Sequence, residues 1–144
     1  MFTPEIFAMI YKITLSAILG LIIGAERQSK EKPAGLRTHA LVAIGSTLFT
    51  VLSFVNLFEG LGYAFDPSRI AAQVVVGIGF LGAGMIFLKG GEARGLTTAA
   101  GIWVTAAIGM AVGFGAYVVA VYTTVLVFLI LSAFRYLENR KSGQ

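Results

Sequence analysis

The chain has 144 residues, of which 57% are hydrophobic and 12% charged, with a formal net charge of +4. A soluble domain carries about 25% charged residues, and a chain this small cannot hide so much apolar surface from water, so lipid is the expected solvent. Cysteine is absent, which excludes disulfide frameworks, thiolate metal sites and cysteine nucleophiles.

The opening MFTPEIFAMI has no basic segment before its apolar stretch and is not read as a cleavable signal. Thr3-Pro4-Glu5 reads as a helix start: a capping hydroxyl, a proline at the first helical position and an acid near the positive helix end. A bilayer core takes roughly 20 apolar residues per helix, and five such stretches follow. They run from about Ile6 to Ala25, from Leu36 to Phe58, from just after the cap-plus-proline start Asp66-Pro67-Ser68 to Leu88, from Leu96 to Val112, and from Ala116 to Leu137. The runs are too long for strands and lack period-two alternation. The predicted fold is an all-α membrane protein with five transmembrane helices. Residues 1–137 form the membrane domain and residues 138–144 a short basic tail.

The bases gather on alternate connections. Arg27, Lys30, Lys32 and Arg37 flank the first, Lys89 and Arg94 the third, and Arg135, Arg140 and Lys141 the C-terminus. The segment Glu59–Ser68 and the turn Gly113-Phe114-Gly115 have none. The positive-inside rule then places the N-terminus outside and the C-terminus in the cytoplasm. GLRTHA at Gly35–Ala40 returns as GLTTAA at Gly95–Ala100, each after a basic connection containing Glu and Arg. Spans one and two therefore read as a parallel repeat of spans three and four.

GIGFLG at Gly77–Gly82 matches a dinucleotide fingerprint, but it lies inside an apolar span with no acid about 20 residues on, so the nucleotide reading fails. Glycines in membrane helices let backbones approach. Gly20, Gly24, Gly77, Gly79, Gly82 and Gly84 are assigned to helix packing, as are Gly109 and Gly113, with homo-oligomeric contact as the alternative use and, for Gly77 to Gly84, the lining of a substrate cavity as another.

Glu26, Arg27, Arg37, Thr38, Glu92, Arg94, Thr97 and Thr98 fall at the cytoplasmic boundary. They read either as anchors, caps and an ion-paired network, or as a site for an anion at helix N-termini. His39 and Gln73 are intramembrane polar residues, expected to make core and interhelical hydrogen bonds. Lys12 is expected to snorkel outward, with Asp66 and Arg69 at the outer mouth of the third span. No span carries a mid-membrane carboxylate, which argues against a dehydrated divalent-ion path. No nucleophile–base pair, metal cluster or phosphate loop is evident, so no enzyme, cofactor or nucleic-acid partner is expected.

GLIIGAERQSKEKPAGLRTHALVAIG and RIAAQVVVGIGFLGAGMIFLKGGEARGLTTAAGIWVTAAIG resemble the MgtC/SapB family of bacterial inner-membrane proteins. The motif residues are Glu26, Arg27, Gly35, Leu36, Arg37 and Thr38 in the first half, and Gln73, Gly79, Phe80, Gly82, Gly84, Gly95, Leu96, Thr97, Thr98 and Trp103 in the second. The resemblance implies a multi-pass plasma-membrane protein with a regulatory or interaction role under magnesium limitation and in envelope homeostasis. In pathogens it implies survival within phagocytes. It places the chain with short, SapB-like members that lack a soluble C-terminal domain. Expected partners are the lipid bilayer, another inner-membrane protein or complex, or a second copy of the chain. The rival expectation is a small oligomeric transporter or channel.

Overall fold

The computed structural model describes residues 4–54 and 66–141, with side chains to residue 133. The capping role of Thr3, the segment 55–65, the side chains of Arg135, Tyr136, Arg140 and Lys141, and residues 142–144 of the expected tail lie outside the described residues. Five helices and a small hairpin follow in order. They are α1 (Pro4–Gln28), α2 (Leu36–Leu52), α3 (Pro67–Gly84), β1 (Phe87–Lys89), β2 (Glu92–Arg94), α4 (Leu96–Gly113) and α5 (Tyr117–Lys141). By length and composition α1, α3 and α4 can each cross a membrane, while α2 and the described part of α5 are shorter apolar helices. The surface agrees with a lipid solvent: Phe80 is 81% exposed and Val118 84%, a pattern that water would penalise.

α4 is the central helix, touching all four others. Its spacing explains why. Gly101, Thr105, Gly109 and Gly113 recur every four residues and are buried along one stripe, so α2 can lie close against it. A methyl group on Gly109 would run into Ser46 and the Ala43 backbone, and one on Gly113 would sit 2.6 Å from Thr50 Cβ. Thr47 Oγ1 donates to Gly109 O at 2.7 Å across this seam. The two helices run parallel, since His39, Thr47 and Thr50 along α2 meet Thr105, Gly109 and Gly113 along α4 in the same order.

α2 also receives α1, which packs on α4 as well. Ser16, Gly20 and Gly24 line up on α1 and are buried. A Cβ at Gly20 would lie 2.7 Å from His39 O, and one at Gly24 2.7 Å from Leu36 Cα. The other expected packing glycines differ. Gly82 faces Ala99 at 3.8 Å, whereas Gly77, Gly79 and Gly84 meet nothing within 4 Å. α3 leans on α4 through Ile78, which clusters with Ile102 and Ala106, and through Gly82. A shallower contact leaves its remaining glycines facing open space. Leu19 and Ile23 of α1, Ile108 and Val112 of α4, and Ala120 of α5 form the second apolar cluster.

The third expected span stops early. α3 ends at Gly84, and Phe87 and Leu88 enter a two-stranded antiparallel hairpin with Leu88 opposite Ala93. Gly90 and Gly91, at φ 63° and 84°, make its tight turn, the left-handed pair a two-residue hairpin needs. Gly95 follows at φ 89°, where a Cβ would collide with Met85 O. α4 ends in a Schellman turn: Ala116 N–H donates to Ala111 O, and Gly115, at φ 83°, donates to Val112 O. Lys12 does not snorkel free; its Nζ donates to Gly113 O at 2.8 Å. A cation thus sits on the negative end of α4.

Asp66 caps α3 as its sequence implies. Its Oδ1 accepts from Ser68 Oγ at 2.6 Å and from Ser68 N at 3.0 Å, and Arg69 Nε stands 3.5 Å from Oδ2. The Ser68 hydroxyl bond, then the Ser68 amide and Arg69, hold the carboxyl below its ordinary value. A depressed native pKa gives a stabilisation that is present above the unfolded value and is lost as pH falls through the native one. Acidification below the usual aspartate range should therefore fray the first turn of α3 before the rest of the helix. Asp66→Ala should produce the same fraying at neutral pH. Amide exchange at Ser68 and Arg69 checks both; equal exchange in the two proteins would refute the cap.

Candidate functional site

The expected boundary residues divide in the structure. Glu26 and Arg27 close the last turn of α1, Arg94 ends β2, and Thr97 and Thr98 open α4. These five line one cleft of about 820 Å³, together with Glu31, Lys32, Phe87, Leu96, Ile130 and Leu131. Arg37, Thr38 and Glu92 do not line it. Arg37 is exposed, and Glu92 turns to Arg94, 3.6 Å away on the hairpin surface.

The cleft's floor is a bond between the two halves of the chain. Arg27 Nη2 donates to Thr98 Oγ1 at 3.0 Å, with Arg27 5% and Thr98 4% exposed. The cation is held there by the close α1–α2 and α2–α4 seams, which carry the end of α1 to the start of α4. Glu26 beside it is 6% exposed, and its Oε2 has no hydrogen-bond donor among the described residues.

Local backbone chemistry leaves the start of α4 open. Its N-cap is Gly95, which supplies no side-chain cap, so the first amides of the helix have no intrahelical acceptor. The corresponding start of α2 is different. Gly35 also caps without a side chain, but Gln28 Oε1 accepts from Leu36 N at 3.3 Å and its side chain lies against Gly35. The sequence repeat therefore yields two similar helix starts, of which the second faces the cleft. Arg27, Lys32 and Arg94 supply cations and Glu26 and Glu31 acids along its wall. An open helix N-terminus with adjacent bases is suited to an anion.

His39 is fully buried between α1, α2 and α4, as expected for a core contact. Its Nδ1 lies 2.8 Å from Thr105 Oγ1. The Thr105 hydroxyl also lies 2.8 Å from Gly101 O, so the pair ties α2 to the backbone of α4. Gln73 departs from expectation. It is exposed on α3 and lines an apolar groove of about 680 Å³ between α2 and α3. Its amide has no hydrogen-bond partner among the described residues, because α3 stands away from α2 here. No group of three or more His, Asp or Glu residues that could hold a metal ion occurs among the described residues.

Sequence reasoning missed Lys32, Glu31, Phe87 and the α5 pair Ile130 and Leu131. Lys32 had a signal, its place in the basic first connection. Ile130 and Leu131 had none, since only the packing of α5 brings them to the cleft.

Comparison with known proteins bears on most of the chain. The MgtC family pattern matches residues 13–140. The chain is 48% identical over 134 residues to the putative magnesium transporter YhiD of Escherichia coli K12, covering 91% of this chain and 62% of that protein. It is 44% identical over 121 residues to protein MgtC of Salmonella typhimurium LT2, covering 84% of this chain and 50% of that one. A protein of Haemophilus influenzae is 42% identical over 134 residues, with 88% and 56% covered. The chain thus spans about half to two thirds of the length of these relatives. No solved structure matches it.

Proposed function

The chain belongs to the MgtC family, and from that premise we propose that it is a non-enzymatic, multi-pass protein of the bacterial inner membrane. In this reading all five helices cross the bilayer, with the N-terminus outside and the C-terminus cytoplasmic. α1–α2 and α3–α4 are parallel repeats, and the cleft opens to the cytoplasm at headgroup depth. There it holds an anionic group of a lipid or of a membrane partner, and through that contact serves regulation under magnesium limitation. The observation that carries the reading is the buried Arg27–Thr98 bond, which builds a cleft at the open start of α4. Sites that merely anchor a helix do not need an arginine taken out of water. The shorter α2 is no obstacle, because the bilayer thins locally around a short helix at modest cost.

Lys32 and Arg94 are exposed lining residues, so their charges can be removed without touching the core. Each base near a membrane surface contributes about 1 kcal/mol toward an anion, so Lys32→Gln with Arg94→Gln should weaken phosphatidylglycerol retention by roughly 30-fold. The same double variant should reach the membrane in normal amount yet fail to support growth of a deletion strain in low magnesium. Unchanged growth and unchanged lipid retention would remove the anion site.

A transport reading draws on the name of the Escherichia coli relative. It requires magnesium flux into liposomes holding this chain alone, and the regulatory reading requires none.

A further inference from the structure

The cleft joins helix ends of opposite sign. The C-terminal turn of α1 brings a negative helix end and Glu26; the N-terminal turn of α4 brings a positive helix end, with Arg94 and Lys32 nearby. A simple anion would satisfy only the second half. Glu26 lines the same cleft at 6% exposure, and its Oε2 accepts no hydrogen bond among the described residues. A buried carboxyl oxygen without a donor is unfavourable, and a ligand bearing N–H groups would supply that donor. The apolar part of the wall matters too: Phe87 is 51% and Ile130 47% exposed beside these charges. Charged floor and greasy rim together match the depth of a phospholipid headgroup.

Resting on the anion-binding reading above, we infer that the cleft binds a phosphate ester carrying a primary ammonium, the chemistry of an ethanolamine headgroup. The phosphate takes the open amides of α4 with Arg94 and Lys32. The ammonium donates to Glu26. Headgroups with the same phosphate but no N–H, as in choline, leave Glu26 without its donor.

Native mass spectrometry of the full chain in mild detergent tests this, with phosphatidylethanolamine, phosphatidylcholine and phosphatidylglycerol of identical acyl chains added in turn. The unaltered chain should retain the ethanolamine lipid about tenfold better than the choline lipid, the ratio expected for 1.4 kcal/mol. Glu26→Gln should reduce that preference to within about twofold. An ethanolamine-to-choline ratio near one in the unaltered chain overturns the inference without any variant having to fold. A preference that survives Glu26→Gln overturns it as well. If phosphatidylglycerol is not retained either, the underlying anion site fails, which is a separate result. Soluble phosphoethanolamine, added as competitor, distinguishes the source: displacement at equal concentration identifies a free metabolite rather than a lipid as the ligand.

Discussion

Gly109→Ala should destabilise the bundle by about 3 kcal/mol, the upper end of what overpacking a close contact costs. The added methyl has no room: it would meet Ser46 and the backbone of Ala43, and a backbone cannot rotate away as a side chain can. The same methyl would push α2 off the Thr47–Gly109 bond. Gly77→Ala is the control. It adds the same group to a helix of similar length, with nothing within 4 Å, and should be neutral or stabilising by up to about 1 kcal/mol through helix propensity. Thermal midpoints of the two variants in one detergent measure the difference. Equal midpoints would mean that α2 and α4 are not joined at this seam.

That pair of glycines also shows what the sequence could and could not reveal. Spacing alone makes Gly20 and Gly24, Gly77 and Gly84, and Gly109 and Gly113 look alike. Whether a glycine is a contact depends on the helix opposite it, and that is a non-local fact. Helix starts were legible because their chemistry is local: Asp66-Pro67-Ser68 gives a cap whose acceptor lies two residues from its donor. The end of α3 was obscured because Ile86-Phe87-Leu88 continues the apolar run. The two left-handed glycines beyond it are what turn the chain into a hairpin.

The site was half legible. Glu26, Arg27, Arg94, Thr97 and Thr98 could be grouped because the repeat suggested that two similar helix starts adjoin. Arg37 and Thr38 carried the same signal, yet Gln28 occupies the start of α2. A side chain eight residues upstream can fill that place only after the connection has folded back, so nothing in the repeat foretold the asymmetry. Direction of approach decides the rest: α5 brings Ile130 and Leu131 to the rim, and an unbroken apolar helix carries no mark of which face it will present.

The second large effect concerns the bond across the repeat. Thr98→Val keeps the shape of the side chain but removes the acceptor of Arg27 Nη2. A hydrogen bond to a charged group contributes about 1.5–3 kcal/mol, and losing one partner inside the protein costs in that range. Arg27→Met removes the charge at similar length, after which the Thr98 hydroxyl can turn back to the Gly95 carbonyl three residues before it. The two changes should therefore fail to add. Once Arg27 is Met, Thr98→Val should cost little more, giving a coupling energy of about 1.5–3 kcal/mol in a double-mutant cycle. Additive effects would mean that the two halves of the chain are not tied at this point. The cycle also separates structure from binding. Thr98→Val leaves the cation in the cleft and should keep phosphatidylglycerol retention once the protein is cooled below its lowered midpoint. Arg27→Met removes a charge from beside the ligand, so at the same temperature retention should fall even where the fold is intact.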